Sequence, residues 1–259
     1  MIGFIALAAT LGLVLGQLAA GRPPAPALSS TPLPGADAVT GSLERNPIYT
    51  ASPLTGECRA PDAARPAFLH AMADCMDRSW RALQATSGLS SGLPTRVFWS
   101  EPGRGACGDY PEPDAAAFYC PVNNGIYLGV DEEENAMVLT AILAHEYGHH
   151  VQHNAGIGDA AAEREVSTPD EGTTLAISRR YELQADCFAG VWFAAVRDSL
   201  PVSAEDWQEV LADFARRGDT GDERTHGTGQ HGAAWLNGGF RGGRPGHCNT
   251  WTAPAADVD

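Results

Sequence analysis

An α+β domain is predicted by three observations on this 259-residue chain. Apolar residues recur at helical steps through Leu69, Met72, Met76, Trp80 and Leu83, and again through Ala185, Phe188, Ala189 and Trp192. Ala117 to Val122 and Ile126 to Val130 flank Asn123-Asn124-Gly125, a hairpin signal because Asn and Gly tolerate positive φ. Between those helical patterns, His145-Glu146-Tyr147-Gly148-His149 lies in a further helix running from about Asn135 to Asn154.

That last stretch carries the chemistry. At about 100° and 1.5 Å per residue, positions i and i+4 stack one turn apart on one helical face. Two imidazoles so placed can share one Zn²⁺, and Glu146 beside the first can reach a water activated by the metal. Met137, Val138, Ala141, Ile142, Leu143 and Ala144 make the preceding turns apolar, so the helix is expected to be buried. Burying His145 and Glu146 without partners would be costly, which favours metal ligation over a helix that happens to be rich in histidine.

Composition narrows the function further. A net charge of −15, from 32 acidic and 17 basic residues, argues against nucleic acid or an anionic membrane surface as partner. Every basic residue is arginine, which removes lysine nucleophiles and Schiff-base chemistry. Six cysteines, Cys58, Cys75, Cys107, Cys120, Cys187 and Cys248, are an even number without a C-x-x-C pair. In an exported protein this suggests three disulfides, with about 15 connectivities open.

Taken in order, Ile2 to Ala20 is uncharged and apolar apart from Thr10 and Gln17. This is close to the roughly 20 residues that span a bilayer. Residues 1–21 are therefore read as a membrane anchor, with a cleaved signal peptide as the alternative, given Ala19, Ala20 and Gly21. Residues 22–55 are rich in Pro, Ala, Ser and Thr and are expected to form an extended linker. The folded domain is placed at 56–250, followed by an acidic tail at 251–259.

Within the domain, a first helix is expected from about Ala63 to Gln84, where Cys75 could tie back to Cys58. Val97-Phe98-Trp99 marks a short strand, and Cys107 and Cys120 bracket the loop leading into the hairpin. A strand beside the metal helix could pair with an extended substrate. Asp131 to Glu134 reads as a helix start, its charge favouring the dipole of the helix that follows. Asp159 to Pro169 reads as a polar surface loop, and a second long helix follows from about Thr173 to Val196. Ser203, with Asp206 three residues on, caps a helix that runs to Arg217 before Gly218. Beyond it, Gly-rich sequence with His226, His231 and His247 leads to Cys248.

A hydrolytic zinc site needs a third protein ligand and an open position. The pattern H-E-x-x-H-x-x-G-x-x-H fails, because Gln152 and Ala155 stand at its Gly and His positions. His153 lies two turns, roughly 12 Å, from His145. Glu182 and Asp186 are the best candidates, i and i+4 on the second helix. Glu182 could complete a His₂Glu set, and Asp186 could orient a ligand imidazole through its free N–H. The alternative is a pair of solvated acids beside Arg179 and Arg180.

These residues carry a resemblance. HEYGHHVQ, then ELQADCFAGVW, then Thr225-His226-Gly227, resembles the bacterial neutral zinc metallopeptidase family. The similarity runs from about Asn46 to Cys248 and includes CGDY, AAFYC and GIYL before the metal helix. The resemblance implies a zincin-like fold, a single Zn²⁺ and peptidase activity. It matches His145 and His149 to the histidine ligands, Glu146 to the catalytic acid/base and Glu182 to the third ligand. It also implies a Cys187–Cys248 pair. His226 either stabilises the reaction's oxyanion or holds the Gly-rich loop. The chain departs from the family at His231-Gly232, where a Gln-Arg pair is expected.

The expectation is thus an extracytoplasmic zinc metallopeptidase acting on a peptide or protein. It would be held at the membrane by its N-terminal segment or secreted after signal cleavage. The alternatives are a zinc-containing binding or chaperone module without activity, and a zinc amidase acting on a cell-wall amide.

Overall fold

A computed structural model describes residues 43–110, 117–221 and 224–259, all within one compact unit. The apolar segment at 1–21 and the linker up to residue 42 lie outside the described residues. Among the described residues, six α-helices and five short strands make up the α+β domain.

Helix α1 (Arg65–Thr86) opens with Pro66 in its first turn and buries Leu69, Met72, Met76, Trp80 and Leu83, its predicted stripe. Strand β1 (Thr95–Trp99) pairs in parallel with β5 (Gly125–Gly129), and β4 (Ala117–Cys120) pairs antiparallel with β5. The sheet order is therefore β1-β5-β4. Asn124, at φ 54°, supplies the positive dihedral of the β4–β5 turn. A separate hairpin of β2 (Gly103–Gly105) and β3 (Gly108–Tyr110) is tied to the end of β4 by the Cys107–Cys120 disulfide.

Helix α2 (Ala136–Asn154) is the metal-motif helix. Asn135 caps it, its side chain accepting from Met137 N at 2.7 Å. Every residue from Val138 to Gln152 is buried, so α2 is enclosed all round rather than striped. The acids at 131–134, read as its first turn, precede the cap instead. The carbonyls of Glu132 and Glu134 accept from Arg65, which docks this stretch on α1.

Gly156, at φ 71°, separates α2 from α3 (Ile157–Val166). The expected surface loop at 159–169 is thus largely helical. Its Ala-Glu-Arg content propagates a helix, but only Ile157 and Ala161 are buried, too few for a visible stripe. Helix α4 (Glu171–Val196) packs on α2 along one side and on α6 (Gly229–Gly242) along another. Helix α5 (Ala204–Arg217) begins in the expected Ser203–Asp206 capping box. Helix α6 lies in the Gly-rich stretch in which no helix was expected. Its glycines serve close approach, since a Cβ on Gly239 would strike the backbone of Cys187 in α4.

Two expected boundaries move. Residues 43–55, assigned to the linker, pack into the domain through buried Leu43, Ile48 and Leu54. Asn46 caps a short 3₁₀ turn and donates to Ala155 O at 2.8 Å, beside the end of α2. The 251–259 tail is also packed, with Trp251 and Val258 buried. The remaining disulfides are Cys58–Cys75, which holds the extended segment before α1 on that helix, and Cys187–Cys248, which staples the C-terminal turns to α4. Among the described residues, no helix is long and apolar enough to cross a membrane.

The crossing of α2 and α4 sets the site. At Gly148 an added Cβ would lie 2.9 Å from both Cα and O of Ala185, inside van der Waals contact. Glycine ordinarily costs a helix interior about 1 kcal/mol relative to alanine. Here Gly148→Ala is expected to lower stability by about 1–3 kcal/mol, because the two helices must separate. Denaturant melts of the two proteins decide the sign, and a stabilised variant would show that the crossing tolerates a methyl group.

Candidate metal centre

His145 and His149 project from one face of α2 onto α4, as i and i+4. Their Nε2 atoms are 3.1 Å apart. Oε2 of Glu182, on α4, lies 3.3 Å from the first and 3.1 Å from the second. Three donor atoms thus converge from two helices, and they form a group that could hold a metal ion. Around a tetrahedral Zn²⁺ with bonds of about 2.0–2.1 Å, ligand atoms stand about 3.3 Å from one another. The observed triangle has that size.

The far side of each ring explains why the Nε2 atoms point inward. Nδ1 of His145 is 2.7 Å from Oδ1 of Asp186, which can only accept, so Nδ1 carries the proton and Nε2 offers its lone pair. Nδ1 of His149 is 2.8 Å from Oε1 of Gln152. That amide is oriented by its own Nε2, which donates to Tyr181 O at 2.7 Å and to Gln184 Oε1 at 3.0 Å. Gln184 in turn donates to Cys248 O and to the Tyr49 hydroxyl. Tyr181 stacks on the His149 ring with centroids 4.9 Å apart. Two lone pairs and a carboxylate facing one another repel unless a cation lies between them, so the donor set fits a metal.

The electrostatics agree. Burial pulls the Glu182 carboxyl upward, but His149, His226 and His145 around it outweigh that and hold it well below the usual range. Burial likewise disfavours the charged form of His145, yet Asp186, Glu182 and Glu146 raise its pKa well above the ordinary value. A divalent ion would compete with protons for the same atoms. Glu146, 2% exposed, is raised by burial, against the pull of His145 and His149.

The back of α2 is anchored on its opposite face. Tyr147 Oη donates to Asp77 of α1 at 2.6 Å, and Arg96 of β1 bridges Asp77 and Asp74. His150, to which sequence reasoning assigned no role, ties the helix to the loop before β1 through Nε2 and Gly92 O, 2.7 Å apart. Its Nδ1 lies 2.9 Å from Oδ1 of Asn124 in the hairpin turn.

His226 reaches the cluster from the loop between α5 and α6. Its Nε2 lies 3.7 Å from Glu182 Oε2, and burial, which lowers its pKa, is outweighed by Glu182 and Asp219, which raise it. Asp219 was not singled out from sequence. Its Oδ2 accepts from Thr225 N and His226 N, each at 2.7 Å, and stands 3.3 Å from His226 Nδ1. Burial raises the Asp219 carboxyl, but those bonds carry it down to about 2. A cleft opens over the group, lined by His145, Glu182, Asp186, Phe214, Arg217 and His226. Gly232 also borders it. An added Cβ there would lie 3.0 Å from Asp186 Oδ2, so a larger residue at this position would press on the acid that holds His145. His231, its neighbour, meets the C-terminal residue, Nδ1 to Asp259 O at 2.5 Å.

Gln152, Gln184 and Asp219 were missed from sequence for different reasons. Gln152 is i+3 from His149, a spacing that could have suggested an orienting partner once its Gly and His roles were excluded. Gln184 and Asp219 act on residues brought near only by folding.

Asp186→Asn and Gln152→Leu are each expected to weaken zinc binding by about 10- to 100-fold, because each frees a ligand ring to turn. Competition with a chromophoric chelator measures this, and unchanged affinity in both variants would show that the rings are held some other way.

Residues 42–251 match the profile of a family described as "Putative neutral zinc metallopeptidase". The chain is 32% identical over 155 residues to "Uncharacterized protein YpfJ" of Escherichia coli (strain K12), covering 52% of this chain and 53% of that protein. It is 31% identical over 189 residues to "Uncharacterized protein Rv2575" of Mycobacterium tuberculosis (strain ATCC 25618 / H37Rv), covering 61% and 62%. The chain thus spans between half and two thirds of the length of these relatives. No solved structure matches it.

Proposed function

The chain belongs to the neutral zinc metallopeptidase family, and we propose on that premise that it is a zinc-dependent peptidase that cleaves peptide bonds outside the cytoplasm. The observation that carries this reading is the convergence of His145 Nε2, His149 Nε2 and Glu182 Oε2 beside the buried carboxyl of Glu146. With three protein donors the set leaves a coordination position open, as catalytic zinc sites do and structural sites do not. Three disulfides support an oxidising compartment, and the apolar segment at 1–21 is the proposed anchor.

Zinc held by His145, His149 and Glu182 would supply a Lewis acid for the scissile carbonyl and would lower the pKa of water. The chain's own residues handle the protons. Glu146 takes the proton of the attacking water on its carboxylate and returns it to the leaving amine nitrogen. His226 directs Nε2 toward the donor cluster and donates to the oxygen that gains charge. Asp186 and Gln152 hold the two imidazoles by their Nδ1 protons throughout.

Glu146→Gln is expected to keep one zinc per chain and to lose about 10²–10⁴-fold in turnover, the usual contribution of a general base. Metal analysis beside chelator-sensitive cleavage of an unbiased peptide library tests both halves, and full turnover by the variant would refute the role. No cleavage by wild type, with zinc bound, would favour a binding module instead.

The direction of the Glu146 shift also sets the acid limb of the pH profile. A protonated carboxyl cannot accept a proton, and burial raises this one, so kcat/KM is expected to fall as pH drops through a value above the ordinary glutamate range. A profile still flat at pH values where an ordinary carboxyl titrates would contradict that assignment.

A further inference from the structure

We infer that Asp219 is a positioning residue, aiming His226 at the donor cluster through a single carboxylate oxygen. The inference rests on the peptidase reading, since it concerns how the same site presents a hydrogen-bond donor to the reacting oxygen.

The geometry is that of a staple with a direction. One atom, Asp219 Oδ2, takes the backbone N–H of Thr225 and of His226, the Thr225 hydroxyl at 3.1 Å and the His226 ring at Nδ1. The backbone contacts set where the residue sits, and the ring contact sets which way it faces. With Nδ1 turned to Asp219, the opposite nitrogen faces Glu182. The Thr225 hydroxyl, 3.0 Å from the same Nδ1, sits on the same side and leaves the aim unchanged.

The loop around this contact is closed at several points. Asp219 N donates to Gly227 O at 3.0 Å, and Gly227 adopts φ 78°, a turn open to glycine. Gly218 and Gly229 approach so closely at the base that a Cβ on either would strike backbone. Arg179 of α4 donates to Arg224 O at 3.0 Å, tying the loop to the helix that carries Glu182. The loop is therefore held even without the ring contact, so the approach of Asp219 to Nδ1 adds orientation to a loop already in place. The side chains are largely enclosed, Asp219 at 23% exposure and His226 at 12%, which shields the contact from competing water.

If Asp219 served only to brace the loop, its loss would disturb stability and substrate binding broadly. If it aims the ring, its loss removes what His226 contributes and nothing more. Zinc-loaded Asp219→Ala, His226→Ala and the double variant are compared with wild type on the library peptide that wild type cleaves best. Asp219→Ala is expected to lower kcat by about 10- to 100-fold, the usual effect of losing an outer orienting partner. KM should stay within about threefold, because the loss falls on the transition state. The double variant should be no slower than His226→Ala alone. Losses that multiply in the double variant, or an unchanged kcat in Asp219→Ala, overturn the inference while leaving the peptidase reading intact.

Asp219→Asn covers the case in which the alanine variant fails to fold. Its amide oxygen can occupy the place of Oδ2, and it is expected to recover most of the lost kcat. A folded asparagine variant as slow as His226→Ala overturns the inference. A second readout is independent of turnover. The Nδ1 proton of His226 should give a slowly exchanging resonance in wild type that disappears in Asp219→Ala, in zinc-free and zinc-loaded protein alike. If wild type cleaves nothing, the peptidase reading falls and this resonance alone decides the contact. Its persistence in Asp219→Ala overturns it.

Discussion

Two nitrogen lone pairs and a carboxylate oxygen, on three largely buried side chains, are held within about a van der Waals contact of one another. Such a cluster repels itself unless protons or a cation neutralise it, and much of the domain can be understood as the apparatus that keeps it from relaxing. Gly148 permits the close crossing that brings α4 to α2. Asp186 and Gln152 pin the rings from behind. The Gln152–Gln184–Cys248 chain carries that restraint from the ligand ring to the turns stapled on α4 by the Cys187–Cys248 disulfide.

The same requirement accounts for the burial of α2. A helix buried on every side has no solvent face to rotate toward, so its two histidines cannot escape into water. On the side away from the cluster, Tyr147 and His150 make hydrogen bonds to α1 and to the loop before β1, fixing the helix about its own axis. The small sheet contributes through position: the turn after β4 meets His150, and β4 and β5 pack on α2. His226 stands on a loop, and that loop is bound to α4 by Arg179.

The catalytic reading follows from what surrounds the cluster. Glu146 sits one residue from His145 in a helix with no exposed turn, so its carboxyl is desolvated and burial raises its proton affinity. His226 lies on the opposite wall, with Asp219 at its Nδ1. Between them and the metal helix lies the cleft into which Phe214 and Arg217 of α5 also project.

What the chain's lettering determined was local. Helical periodicity placed α1, α4 and α5, Asn-Asn-Gly placed the hairpin, and a one-turn repeat put His145 and His149 on one face, because these depend only on neighbours a few residues away. Glu182 and Asp186 could be nominated by their spacing, but nothing in that spacing says which way α4 faces. That was decided by the meeting of Gly148 with Ala185, a contact between residues far apart in the chain. Helix α6 was invisible for the same reason: its glycines weaken a helix in isolation and are repaid only by close packing on α4. The packing of residues 43–55 and 251–259, and the approach of Asp219 to His226, also exist only once distant segments share one core. Short-range spacing can specify which groups are available for chemistry, and only packing decides which of them meet.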